Sequence, residues 1–224
     1  MTTVAVYNFN NALEGAVVYD DTGIHNGSVV GTVPLVDGPI SQKSRYFNGD
    51  AANYLTVPHQ ADLQIDTDWT IEAWVDFLSI STGQRPFLSK GRWGISPIVL
   101  MGALNEGSYG KPYCYIGTDA SNYLLLNLPS VVLYNSRLYY WALTFNRFTK
   151  KMLLYIDGCC VGTNTEVGTY TGGDAGSYAV LMGTLHSSTA AHYGNIHGIR
   201  WSDTIKTSKE IYDTYTATNV QERV

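Results

Sequence analysis

Glu72, Trp74 and Asp76 alternate along the segment WTIEAWVDF (Trp69–Phe77). In an extended strand they share one face. An indole flanked by two carboxylates suits a sugar, because the ring stacks on C–H faces while the carboxylates accept hydroxyl hydrogen bonds. The competing reading is that this face packs under a neighbouring segment and Trp74 is a core residue. Two carboxylates on one face also raise the question of glycosidic hydrolysis, which needs them about 5–5.5 Å apart for retention and about 6.5–9.5 Å for inversion. Four residues along a strand separate Glu72 from Asp76 by about 13 Å. No catalytic residue is therefore expected, and the three residues are read as ligand-binding.

Trp93 is the second candidate ligand platform. It lies in KGRWG (Lys90–Gly94), between glycines and basic residues, and so belongs to a loop. A loop tryptophan can stack a ligand, anchor an interface or simply plug a gap; Tyr109 and Tyr113 could join it. The five histidines are His25, His59, His186, His192 and His197. The last three fall close together, but their spacing matches no zinc motif, and satisfied or exposed histidines are the expectation. Cys114, Cys159 and Cys160 are odd in number and two are adjacent, which speaks for reduced thiols and against a disulfide framework.

The elements that carry these residues read as strands. The clearest is Trp69–Phe77, with Trp69, Ile71, Ala73, Val75 and Phe77 on the face opposite Glu72, Trp74 and Asp76. Leu138–Phe145 is apolar on both faces, so it is expected mid-sheet. Met152–Ile156 closes on Asp157-Gly158, a pair suited to a type I′ hairpin. Ten shorter candidates with Gly and Asn-Gly punctuation complete an all-β pattern. Only TSKEIYDTYTA (Thr207–Ala217) reads as a helix, with a capping box at its start. One domain over residues 1–224 is expected, with the closing helix and tail at about 207–224.

Composition agrees. The 224 residues include 17 Tyr and 22 Gly, and charged residues make up only 15%, against about 25% in ordinary domains. The net charge is −5 with the basic residues scattered, so nucleic acid and membrane insertion are not expected partners. The start of the chain lacks a signal-peptide pattern, and no apolar run reaches the roughly 20 residues of a membrane span.

Five strings resemble laminin-G-like domains of the concanavalin A-like lectin/glucanase superfamily. They are RYFNGDAANYLTV (Arg45–Val57), DWTIEAWVDF (Asp68–Phe77), YYWALTFN (Tyr139–Asn146), LLYIDG (Leu153–Gly158) and YGNIHGIRWSD with SKEI (Tyr193–Ile211). They follow the family's order and, with YNFN (Tyr7–Asn10) before them, cover nearly the whole chain as far as Ile211. The resemblance implies a two-sheet antiparallel β-sandwich, a jelly roll of concanavalin A-like type, with a short C-terminal helix. It also implies that calcium could bind at one rim, with Asp50 and Asn53 as the oxygen ligands; the alternative is that Asp50 caps the Asn48-Gly49 turn. The family's final strand often reads G-x-I-D-E/D-V-R, and here His197 and Gly198 replace its two acidic positions. The glucanase branch's E-x-D-x-x-E pattern is missing. Folds host many functions, and the expectation is a non-catalytic recognition or assembly module. A virion or other extracellular surface is its expected location, as a decoration or attachment protein. Its expected partners are a glycan or host-surface polysaccharide and the other subunits of the assembly. The alternative is a purely structural subunit with no small ligand.

Overall fold

The computed structural model describes the chain except for residues 1, 12, 14, 40–42, 81–82, 93–97, 108, 118–122, 129, 166–176, 187–188 and 220–224. In chain order the first strands are β1 (Thr3–Tyr7), β2 (Val17–Val18), β3 (Gly27–Val30), β4 (Leu35–Asp37), β5 (Lys43–Asn48) and β6 (Tyr54–Val57). Next come β7 (Trp69–Asp76), β8 (Gln84–Lys90), β9 (Ile98–Asn105), β10 (Gly110–Gly117) and β11 (Tyr123–Asn127). The last are β12 (Leu138–Asn146), β13 (Lys151–Ile156), β14 (Cys159–Thr165), β15 (Val180–Met182) and β16 (Tyr193–Ser202), followed by one helix, α1 (Ser208–Asn219).

The strands form two eight-stranded sheets whose ladders are antiparallel. The first runs β14-β13-β12-β7-β16-β5-β4, with β1 also paired to β16; the second runs β11-β10-β9-β8-β15-β6-β3-β2. This is the expected two-sheet sandwich. Alternation sends Trp69, Ile71, Ala73 and Val75 of β7, and Phe77 just after it, into the core between the sheets, together with Tyr139, Trp141, Leu143 and Phe145 of β12. Trp141 links the layers, meeting Phe87 of the second sheet edge-on at 5.2 Å. Such aromatic pairs add to the area-proportional gain from burial.

The apolar outer face of β12 is explained by α1. Tyr140 and Ala142, with Tyr155 of β13, form a second small core with Ile211, and Trp74 and Tyr215 pack against it. The helix starts at a capping box, in which the Thr207 N–H donates to Glu210 Oε2 at 2.7 Å and the Glu210 N–H to Thr207 Oγ1 at 3.3 Å. Ile211 and Tyr215 face the sheet, whereas Tyr212 is half exposed. Asp157 (φ 51°) and Gly158 (φ 76°) form the expected tight turn below the helix. Three short or irregular strands, β2, β4 and β14, have no alternation to announce them. All three cysteines are free; Cys114 is buried, and Cys159 and Cys160 are exposed.

A bulge in β16 decides which residues reach the outer face. Ile196 pairs with Val75 and the next paired residue, Gly198, with Trp74, leaving His197 as the extra residue. Ile196 and Ile199 therefore both enter the core, while Gly198 and Arg200 stand opposite Trp74 and Glu72 on the outer face.

His192 is fully buried between Phe47 and Phe77, edge-on to both at 5.7 and 5.0 Å. Burial lowers its pKa to about 4, with the Asp76 charge pulling the other way. The unfolded chain takes up this proton near pH 6.5, before the folded one does, so stability falls as pH drops from about 6.5 to about 4. The loss is about 3 kcal/mol across that window. Urea unfolding at stepped pH should show this slope, and His192→Phe should flatten it.

Candidate functional site

The outward residues of β7 each meet a different part of the molecule. Glu72 is buried; its Oε1 accepts the Tyr140 hydroxyl and its Oε2 the Lys206 ammonium, both at 2.5 Å. Lys206 stands just before α1, and its N–H donates to Thr70 Oγ1 at 2.9 Å. The Thr70 hydroxyl donates in turn to the Thr204 carbonyl at 2.7 Å. Burial and the neighbouring Glu72 charge push the Tyr140 hydroxyl far above its ordinary pKa, so it stays a proton donor.

Trp74 is half buried, 5.1 Å from the Tyr140 ring and stacked on Tyr215 of α1 at 5.9 Å. Asp76 accepts the Asn195 N–H at 3.0 Å and the Asn195 amide at 2.9 Å, and lies 3.0 Å from His197 Nε2. Burial raises the Asp76 carboxyl, but the hydrogen bonds from His197 and Asn195 outweigh it and hold the group below its ordinary range.

Beside Trp74 a groove of about 290 Å³ opens between α1 and the outer face of the first sheet. Glu72, Trp74 and Tyr140 line its floor with Gly198 and Arg200 of β16; Asn8 and Asn10 form one wall, and Thr214 and Thr218 of α1 the other. Phe9, buried with φ 58°, anchors the chain between the two asparagines. A left-handed Phe costs of order 1–3 kcal/mol, which its burial offsets. Gly198 keeps the floor low, since a side chain there would begin 3.1 Å from the Tyr7 carbonyl oxygen. Asn10 accepts the Lys43 N–H at 2.9 Å and keeps its amide hydrogens to donate. Thr214 and Thr218 donate to the carbonyls four residues back; the Thr214 side chain also meets the Tyr140 hydroxyl, and the Thr218 oxygen is left as an acceptor.

The structure therefore brings Glu72 and Trp74 to one groove and sets Asp76 at its edge, through His197. Asp50 and Asn53 do not line it. They lie between β5 and β6, where Asp50 Oδ1 accepts the Ala52 N–H at 2.9 Å. The Asn53 side-chain oxygen accepts the Thr32 N–H at 2.7 Å, and its nitrogen faces Asn48 at 3.1 Å and Asp50 at 3.5 Å. In this arrangement the carboxamide offers no free oxygen beside Asp50, so an ion there would first have to turn the Asn53 amide. Among the described residues no group of three His, Cys, Asp or Glu converges as a metal site. Trp93 lies outside the described residues; its suggested companion Tyr113 stands on the outer face of the second sheet, near the stacked Tyr115 and Tyr123. Arg200, Tyr140 and the two helical threonines were not expected at a site. Period-2 reading from Ile196 sends Arg200 inward, and only the three-residue spacing of Ile196 and Ile199 hints at the bulge.

A laminin-G-type family model of the concanavalin A-like lectin/glucanases superfamily matches residues 47–212, and the chain belongs to that superfamily. No curated protein matches it in sequence. Among solved structures it is similar to domain 4 of the extracellular arabinanase of Geobacillus stearothermophilus, solved in complex with arabinotriose. The TM-score is 0.70 at 17% identity, covering 95% of this chain and 97% of that one. The binding domain of Paraclostridial Mosquitocidal Protein 1 is similar with TM-score 0.72 at 16% identity, over 96% of this chain and 52% of that one. Trypanosoma rangeli sialidase in complex with sialic acid gives TM-score 0.67 at 15% identity, over 98% of this chain. The chain spans 33% of that sialidase and about half of the toxin domain. At these identities the likeness shows the fold alone.

Removing one partner of a buried ion pair strands the other charge, at a cost of about 3–5 kcal/mol. Glu72→Ala should lower the unfolding free energy by that amount in urea titration, with Glu72→Gln costing less because it can still accept from Tyr140. A loss under about 1 kcal/mol would show that the pair does not hold α1 in place.

Proposed function

We propose that this domain is a non-catalytic recognition module whose ligand is a saccharide seated in the groove beside Trp74. The observation that carries the reading is the groove's make-up. The half-buried Trp74 ring offers apolar surface to sugar C–H faces, while threonine, asparagine and arginine groups surround it at fixed positions. Small-ligand sites combine an apolar lining with a few placed polar groups in this way, and the volume stands at the small end of their range. The similar arabinanase domain, solved with arabinotriose, supports the reading by analogy of fold.

The state of the two carboxylates supports a non-catalytic role. Glycosidases need one protonated and one ionised carboxyl facing the scissile bond. Here both Glu72 oxygens are occupied by Tyr140 and Lys206, and Asp76 is pinned by Asn195 and His197. Display on a virion or other extracellular assembly, with its other subunits as neighbours and a host-surface polysaccharide as target, completes the proposal. Asp50 and Asn53, away from the groove, remain the candidates for a calcium ion.

The test is a screen of bacterial and host polysaccharides with the intact chain and with Thr218→Trp, which fills the groove from the helix side. Binding that Thr218→Trp abolishes, with the melting temperature unchanged and no reducing sugar released, is the expected result. Binding untouched by Thr218→Trp would move the site elsewhere. No binding across the screen would leave a structural subunit.

A further inference from the structure

We infer that the groove selects a carboxylate-bearing sugar residue and that Arg200 is the residue that determines this preference; the inference rests on the saccharide reading of the groove. It starts from a census of the titratable groups on the groove's lining. Glu72 faces Arg200 in the β7–β16 register, yet its two oxygens are taken by Tyr140 and Lys206. His197 is held by Asp76 at 3.0 Å. The Arg200 guanidinium, half buried and near enough to Tyr140 to act on it electrostatically, makes no side-chain hydrogen bond or ion pair with any described residue. The groove thus contains a carboxylate that is already neutralised and a guanidinium that is not.

The surroundings suit a ligand's carboxylate at that point. A guanidinium presents a planar fork that matches a carboxylate with two parallel hydrogen bonds, and partial burial strengthens charge-assisted bonds by excluding water. Gly198, two residues earlier on the same face, has no side chain to fill the space before Arg200. The half-buried Trp74 ring lies beside it for the sugar's apolar face, and the Thr218 oxygen can accept a sugar hydroxyl. A neutral sugar would leave Arg200 covered without a partner, which costs affinity.

Calorimetric titration of the intact chain tests this with four polymers: polygalacturonate, alginate, hyaluronan and polysialate. Each is paired with its carboxyl-reduced counterpart, and a sulfated neutral galactan is included. At least one acidic polymer should bind ten- to a hundredfold more tightly than its reduced form, the range for one charge-assisted contact. Arg200→Gln should erase that difference with the melting temperature unchanged, and Arg200→Lys should restore part of it. Equal affinity for acidic and reduced forms, both blocked by Thr218→Trp, would overturn the inference and leave the groove a neutral-sugar site. Equal affinity for the sulfated galactan would overturn the assignment to carboxylate. No binding by any polymer, acidic or neutral, would remove the saccharide reading and this inference together.

Discussion

The docking of α1 on the outer face of the first sheet is the interaction on which the site depends. A sandwich sheet normally turns polar residues to water on that face. Here Ile211 and Tyr215 cover Tyr140, Ala142, Tyr155 and Trp74, and the Glu72–Lys206 pair ties the start of the helix to β7. A buried ion pair adds little net stability over an apolar pair of the same shape, but it penalises any alternative placement that leaves either charge unpaired. Its contribution here is position: it fixes where the helix begins, and the packing of Tyr215 on Trp74 fixes where it runs.

The groove follows from that placement. The helix packs over β12, β13 and part of β7, and a trough stays open between it, Asn8 and Asn10, and Gly198 and Arg200 of β16. The bulge at His197 then supplies its chemistry. By inserting one residue it keeps Ile196 and Ile199 in the core and turns Gly198 and Arg200 outward, one giving space and the other charge. The same bulge sets His197 within 3.0 Å of Asp76 at the groove's edge.

The fold was largely legible in the sequence, because strands buried on one face repeat every two residues. Trp69–Phe77 shows the pattern in full, and its inward and outward sets are those of the structure. The closing helix was legible through its capping box. The site was legible in part: Glu72 and Trp74 stand where alternation puts them, but the helix that turns their face into a groove wall comes from the far end of the chain. Arg200 was hidden because a bulge breaks the alternation from which its direction would be read. The short strands β2 and β4 carry too few residues for any period to show.

Amide hydrogen exchange of the intact chain, with and without the tightest-binding saccharide of the screen, tests the central claim most directly. The account predicts new protection confined to the outer-face strands β7 and β16 near Trp74 and Gly198–Arg200, to Asn8–Asn10 and to the last turns of α1. Protection centred instead on the Asp50–Asn53 loop or on the second sheet, with α1 unchanged, would contradict it.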